Sequence, residues 1–171
     1  MELTSTFSYD IFLRLTVAVL LGLAIGAERI YAHKAAGMRT YAMVAMGSSL
    51  FIIISQVVAV AYGGGSNFDP LRMASQIIVG VGFLGSGLII FKDDKLSGVT
   101  TASGLWVSAG IGMASGFGLY GLAIMTTLIT LFIFTVVWVA EQRFKKTFEE
   151  TSETSDVKSK AKTKKSNSIL K

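Results

Sequence analysis

The sequence predicts an all-α membrane protein, a compact bundle of five transmembrane helices packed through small residues, and three observations predict it. The 171 residues are 51% apolar and only 16% charged, against about 25% charged in a soluble domain. Nearly uncharged runs of about 20 residues recur along the chain, the length a helix needs to cross about 30 Å of hydrocarbon. Small residues recur at every fourth position within those runs, which lets helices approach closely in lipid, where association rests on packing and interhelical hydrogen bonds.

The first run, residues 11–27, carries a charge only at Arg14, and the second and third, 41–62 and 73–91, carry none. A signal peptide competes for the first run, but no basic region precedes it and Glu28-Arg29 makes a poor cleavage site. From Leu96 to Ala140 the chain is again uncharged. One unbroken helix there would reach about 65 Å, twice the span, so the run folds back once. The glycine-rich SGFGLYG, residues 115–121, is the turn.

Basic residues set the orientation. Arg29, Lys34, Arg39, Lys92, Lys95 and the nine after Ala140 fall on one side, and only Arg14 and Arg72 on the other. Fourteen against two, or five against two in the loops alone, predicts the N-terminus outside and the C-terminus in the cytoplasm. Residues 1–140 form the membrane domain and 141–171 a short basic tail. The tail begins with a helical continuation, EQRFKKTFEE, and is then too polar to offset its ordering entropy, hence mostly disordered. Its lysines suit anionic lipid; without interleaved aromatics, and tethered to a membrane, it does not suit nucleic acid.

Chemistry is constrained as strongly. There is no Cys and one His, His33, so thiolate metal sites, histidine clusters and a Ser-His-Asp triad are excluded. Gly80, Gly82 and Gly85 have G-x-G-x-x-G spacing, but no strand precedes them and the position of the ribose-binding acid is taken by Leu105 or Trp106. The nucleotide reading fails, and no cofactor, metal or enzymatic activity is expected. The glycines are instead expected to pack helices: Ala18, Gly22 and Gly26 in the first span, Gly80, Gly82, Gly85 and Gly87 in the third, and Thr100, Gly104, Ser108, Gly112 and Gly116 in the fourth.

Ionisable groups at the membrane boundary are costly and tend to be paired or functional. The predicted topology gathers Glu28, Arg29, Arg39 and the KDDK of residues 92–95 at the inner end. Asp10, Arg14, Asp69 and Arg72 lie at the outer end. Asp10 and Arg14, one turn apart, can pair, and Asp69 can cap the third helix. Glu28 opposes the dipole at a helix C-terminus and needs a cation such as Arg29 or Arg39. Gln76, like Gln56, can bond a neighbouring helix.

GLAIGAER, AAGMRTYAMVAMGSSLF, DPLRMASQIIVGVGFLGSGLII and GVTTASGLW stand in that order, and together the four blocks resemble the MgtC/SapB family of bacterial inner-membrane proteins over about residues 10 to 140. The resemblance marks Glu28, Arg29, Gly37, Arg39, Thr40, Gly47, Asp69, Arg72, Gln76, the glycines from Gly80 to Gly87, Thr100, Thr101 and Trp106. It implies a polytopic membrane protein tied to magnesium limitation, acid tolerance and virulence, which modulates other membrane proteins. Longer members add a soluble ACT-like domain, whereas about 30 residues follow Ala140 here, too few for an independent core.

Two functions are therefore expected to compete. The first is a non-enzymatic regulator that contacts other membrane proteins, or a second copy in a homodimer, through small-residue faces. The second is a small transporter or channel in which Gln76, Ser86, Thr100, Thr101 and Ser103 line a polar path. The absence of an acidic residue in mid-membrane favours the first.

Overall fold

A computed structural model describes residues 2–61, 69, 71–92, 95–141 and 143, with side chains from residue 8 onward except Lys92. The expected disordered tail, apart from Glu141 and Arg143, lies outside the described residues. The described chain runs through α1 (Glu2–Tyr31), α2 (Met38–Ala61), α3 (Leu71–Ser86), β1 (Ile90–Lys92), β2 (Lys95–Ser97), α4 (Val99–Gly116) and α5 (Tyr120–Phe132). Among the described residues three helical stretches, Ser8–Tyr31, Met38–Ala61 and Tyr120–Glu141, are long and apolar enough to cross a membrane. The chain divides into two units, Met1–Leu131 and Phe132–Lys171. In the second, a π-helical turn spans Ile133–Val137, and the Thr135 hydroxyl donates to the Phe132 carbonyl at 3.5 Å.

In the first unit the small residues decide how the helices meet. A Cβ on Gly22 would lie 2.8 Å from Ala42 Cα, and one on Gly26 would overlap the Met38 backbone, so α1 and α2 cross antiparallel with backbones touching. Between α2 and α4 the match is parallel. Ser108 Oγ donates to the Tyr41 carbonyl at 3.0 Å, a Cβ on Gly112 would overlap the Ala45 carbonyl, and one on Gly116 would sit 2.8 Å from the Ser49 carbonyl. Each contact advances four residues on both helices, so one face of α4 lies along α2 for more than two turns. Thr100, expected at the head of this stripe, is exposed.

α3 fits against these helices through Ile77 and Val81, which join Ile52 of α2 and Ala109 of α4 in one buried cluster. Gly85 meets Ala102 at ordinary contact distance, 3.5 Å. At Gly80 and Gly82, however, an added Cβ would meet nothing within 4 Å. Two residues apart on a helix, they lie on nearly opposite sides, and neither makes the close helix contact expected of it within this chain. Gly87 lies beyond the helix, its N–H bonding back to the Phe83 carbonyl at 3.3 Å.

The connections follow from local chemistry. The third run, expected to stay helical to Phe91, leaves the helix at Ser86 and forms an antiparallel hairpin pairing Ile90 with Ser97 and Phe91 with Leu96. Gly98, at φ 87°, opens α4 where a side chain would strike the Leu88 carbonyl. The turn expected within residues 115–121 is present: Gly118 takes φ 77°, Leu119 N–H reaches the Ala114 carbonyl (2.8 Å) and Gly118 N–H the Ser115 carbonyl (2.9 Å). That is the Schellman arrangement, which favours glycine at its left-handed position. α1 ends the same way, with Lys34 N–H on the Arg29 carbonyl and His33 N–H on the Ile30 carbonyl, both 3.0 Å. There the left-handed residue is His33, at φ 54°.

Candidate functional site

The charged groups sit at opposite ends of the α1–α2–α4 core. Near the start of α1, Arg14 and Asp10 share a helix face one turn apart, and Arg14 Nη2 lies 2.7 Å from Asp10 Oδ2. Arg14 Nη1 donates to Gln56 Oε1 of α2 and to the Gly116 carbonyl of α4, each at 2.7 Å. The Ser115 hydroxyl completes the exchange by donating to the Arg14 carbonyl at 2.7 Å. The guanidinium thus occupies the C-terminus of α4, where unsatisfied carbonyls and the negative dipole end attract a cation. Three helices are tied at one side chain. A cleft of about 620 Å³ opens beside it, lined by Asp10, Ile11, Gln56 and Val57 among others.

At the other end, Arg29 is 1% exposed, and its Nε donates to Glu28 Oε2 at 2.6 Å. An arginine at such depth requires a counter-ion, since an uncompensated charge away from water is strongly unfavourable. Arg39, the other expected cation, is exposed, and the observed ion pair of Glu28 is with Arg29. Beside this pair Tyr41, fully buried, donates its hydroxyl to the Thr101 carbonyl at 3.2 Å. Tyr41 was not expected in the cluster, because a tyrosine opening an apolar run reads as an interfacial anchor. The ion pair and two α2–α4 hydrogen bonds therefore meet around the first turns of α2.

The remaining expected residues are dispersed. Asp69 is exposed and caps α3, its Oδ1 accepting from Leu71 N–H at 2.9 Å and its carbonyl from Arg72 N–H at 3.1 Å. No contact joins either Asp69 or Arg72 to the Asp10–Arg14 pair among the described residues. Gln76 and Thr100 are exposed, and Thr101 is buried. Trp106 is half-exposed on α4, where it lines a small cleft with Ile78 and Leu122. Gly104 and Ser108 are buried in the α4 face. Ser86 and Ser103 donate to carbonyls of their own helices, Phe83 at 2.8 Å and Val99 at 2.9 Å. Among the described residues no three His, Cys, Asp or Glu side chains converge to hold a metal ion.

Residues 15–143 match the model of the MgtC family. The chain is 39% identical over 132 residues to the Escherichia coli K12 protein named "Putative magnesium transporter YhiD", covering 74% of this chain and 60% of that protein. It is 42% identical over 123 residues to Protein MgtC of Salmonella typhimurium LT2, covering 72% and 50%. An uncharacterized Haemophilus influenzae protein is 40% identical over 136 residues, covering 75% and 57%. The chain thus spans half to three fifths of the length of these relatives. No solved structure matches it. With this family match across most of its length and its long apolar helices, the chain is a multi-pass membrane protein and belongs to the MgtC family.

Proposed function

We propose that this protein is a non-enzymatic regulator in the bacterial inner membrane. It contacts other membrane proteins, or a second copy, under magnesium limitation and acid or envelope stress, and in a pathogen it serves virulence. The observation that carries this reading is how the polar groups are used. Ser86 and Ser103 bond carbonyls of their own helices, Ser108 and Ser115 bond backbone across helices, and the small-residue face of α4 lies against α2. Such groups hold a scaffold together and are poorly disposed to line a common solute path.

One face open to a partner is on α3, where Val79 and Phe83 are 68% and 78% exposed and flank the open Gly82. A small residue between two large ones suits a second helix. The chain has no cysteine, so Phe83→Cys provides a single cross-linking handle. Cells grown in low magnesium should yield a cross-link to another membrane protein or to a second copy. The alternative, a small transporter or channel for an ion or solute, is favoured by the name of the Escherichia coli relative. Magnesium flux in liposomes that Gln76→Ala abolishes would establish it in place of the regulator.

A further inference from the structure

A groove of about 590 Å³ runs between α2 and α3, a size typical of ligand clefts. Gly47 and Gly80 line it from the two helices, and at either one an added Cβ would meet nothing within 4 Å. Met43, Phe51 and Met73 supply long side chains around this slot, and Gln76 is the one amide among the described residues that line it. Along α3 the lining extends from Met73 to Leu84, which is about 16 Å of helix. That is close to half of the roughly 30 Å hydrocarbon thickness, the depth of one leaflet and so the reach of one acyl chain.

An exposed arginine stands one turn before a lining residue at each end, Arg39 before Met43 and Arg72 before Gln76, but only at the Arg72 end does the described lining offer an amide. Arg72 is exposed, stands one helical turn before Gln76 and has no ion pair among the described residues. Asp69, its acidic neighbour, has its Oδ1 engaged by Leu71 N–H. A cation and an amide one turn apart at the head of an apolar slot one leaflet deep complement a phosphate joined to an acyl chain. We infer that this groove binds an anionic glycerophospholipid, with its phosphate at Arg72 and Gln76 and one acyl chain lying over Gly80 and Gly47.

The test uses the full chain purified in detergent, with native mass spectrometry and thermal unfolding on added phosphatidylglycerol, phosphatidylcholine of the same chains, or inorganic phosphate. Phosphatidylglycerol should be retained at least threefold better than phosphatidylcholine and should raise the melting temperature, while inorganic phosphate should do neither. Gly80→Leu and Gly47→Leu, which fill open space, should melt like wild type without lipid and lose retention of both lipids. Arg72→Gln should keep the acyl chain but bring the preference for the anionic headgroup close to one. The proposal is overturned if Gly80→Leu retains phosphatidylglycerol as wild type does, or if Arg39→Gln rather than Arg72→Gln removes the preference. It is equally overturned if the leucine variants disrupt a dimer while lipid retention is unchanged.

Discussion

Replacing Gly112 with leucine probes the closest approach in the core. A Cβ at this position would overlap the Ala45 carbonyl, a backbone atom that cannot swing aside like a side chain, so α2 and α4 must separate. Overpacking of this kind costs about 1–3 kcal/mol. The separation also strains the Ser108–Tyr41 and Tyr41–Thr101 hydrogen bonds, which bridge the same two helices and average about 0.6 kcal/mol each in membrane proteins. The expected loss is about 3 kcal/mol. At about 2–4 °C per kcal/mol for a chain of this size, the melting temperature should fall by roughly 6–12 °C. Thermal unfolding in detergent, followed by circular dichroism, measures this directly, with Gly80→Leu as the control that meets open space. If Gly112→Leu melts with wild type while abolishing a liposome flux, the α4 face lines a solute path and the packing argument is wrong.

Glu28→Gln removes the counter-ion of the buried Arg29 and should destabilise by about 3–5 kcal/mol. Because the observed pair is with Arg29, the double variant Glu28→Gln with Arg29→Met should recover part of that loss in a double-mutant cycle, whereas pairing it with Arg39→Glu should not. Arg14→Met gives up charge-assisted bonds to Gln56 and Gly116 worth about 1.5–3 kcal/mol each. Asp10→Asn, at a carboxylate 45% exposed, should cost under about 1 kcal/mol by the same melting assay. His33→Gly relieves a left-handed residue and should raise stability by up to about 1 kcal/mol, while His33→Val should lower it; equal melting of both variants would contradict the described turn. Reporter fusions after Lys34, Asp69, Lys95, Gly118 and Lys160 should read in, out, in, out, in, and a cytoplasmic signal after Asp69 would refute the orientation.

Much of the helical order was legible because apolar length and glycine punctuation speak directly to it: SGFGLYG forms its turn, Asp69 caps its helix and Asp10 reaches Arg14. Which faces meet was harder. A spacing of four identifies a stripe without saying what it touches, so Gly112 and Gly80 look alike in sequence although one abuts a carbonyl and the other open space. The hairpin was missed because IIFK and KLSG continue an apolar run, and only the paired backbone distinguishes strand from helix end. The need of Glu28 for a cation was legible and named both Arg29 and Arg39, but adjacent helical residues normally diverge, and nothing local decided between the two or indicated how deeply Arg29 would be buried. Tyr41 acquires its role from Thr101 of α4, 60 residues further along the sequence, and Gln56 from Arg14 of α1, 42 residues earlier; neither partner leaves a mark on the local pattern.

α3 is a 16-residue helix, about 24 Å long, and Ile77 and Val81 fix it at the depth of Ile52 near the middle of α2. A helix of that length is about 6 Å shorter than a hydrocarbon layer of roughly 30 Å. The hairpin follows directly, and its paired strands satisfy backbone groups that a loose loop would leave without partners in an apolar setting. The exposed side chains of Ile90, Phe91 and Leu96 extend the apolar surface past the end of α3. In a bilayer that α3 crosses, a change of thickness would be met first at this extended end, before it reached the longer helices.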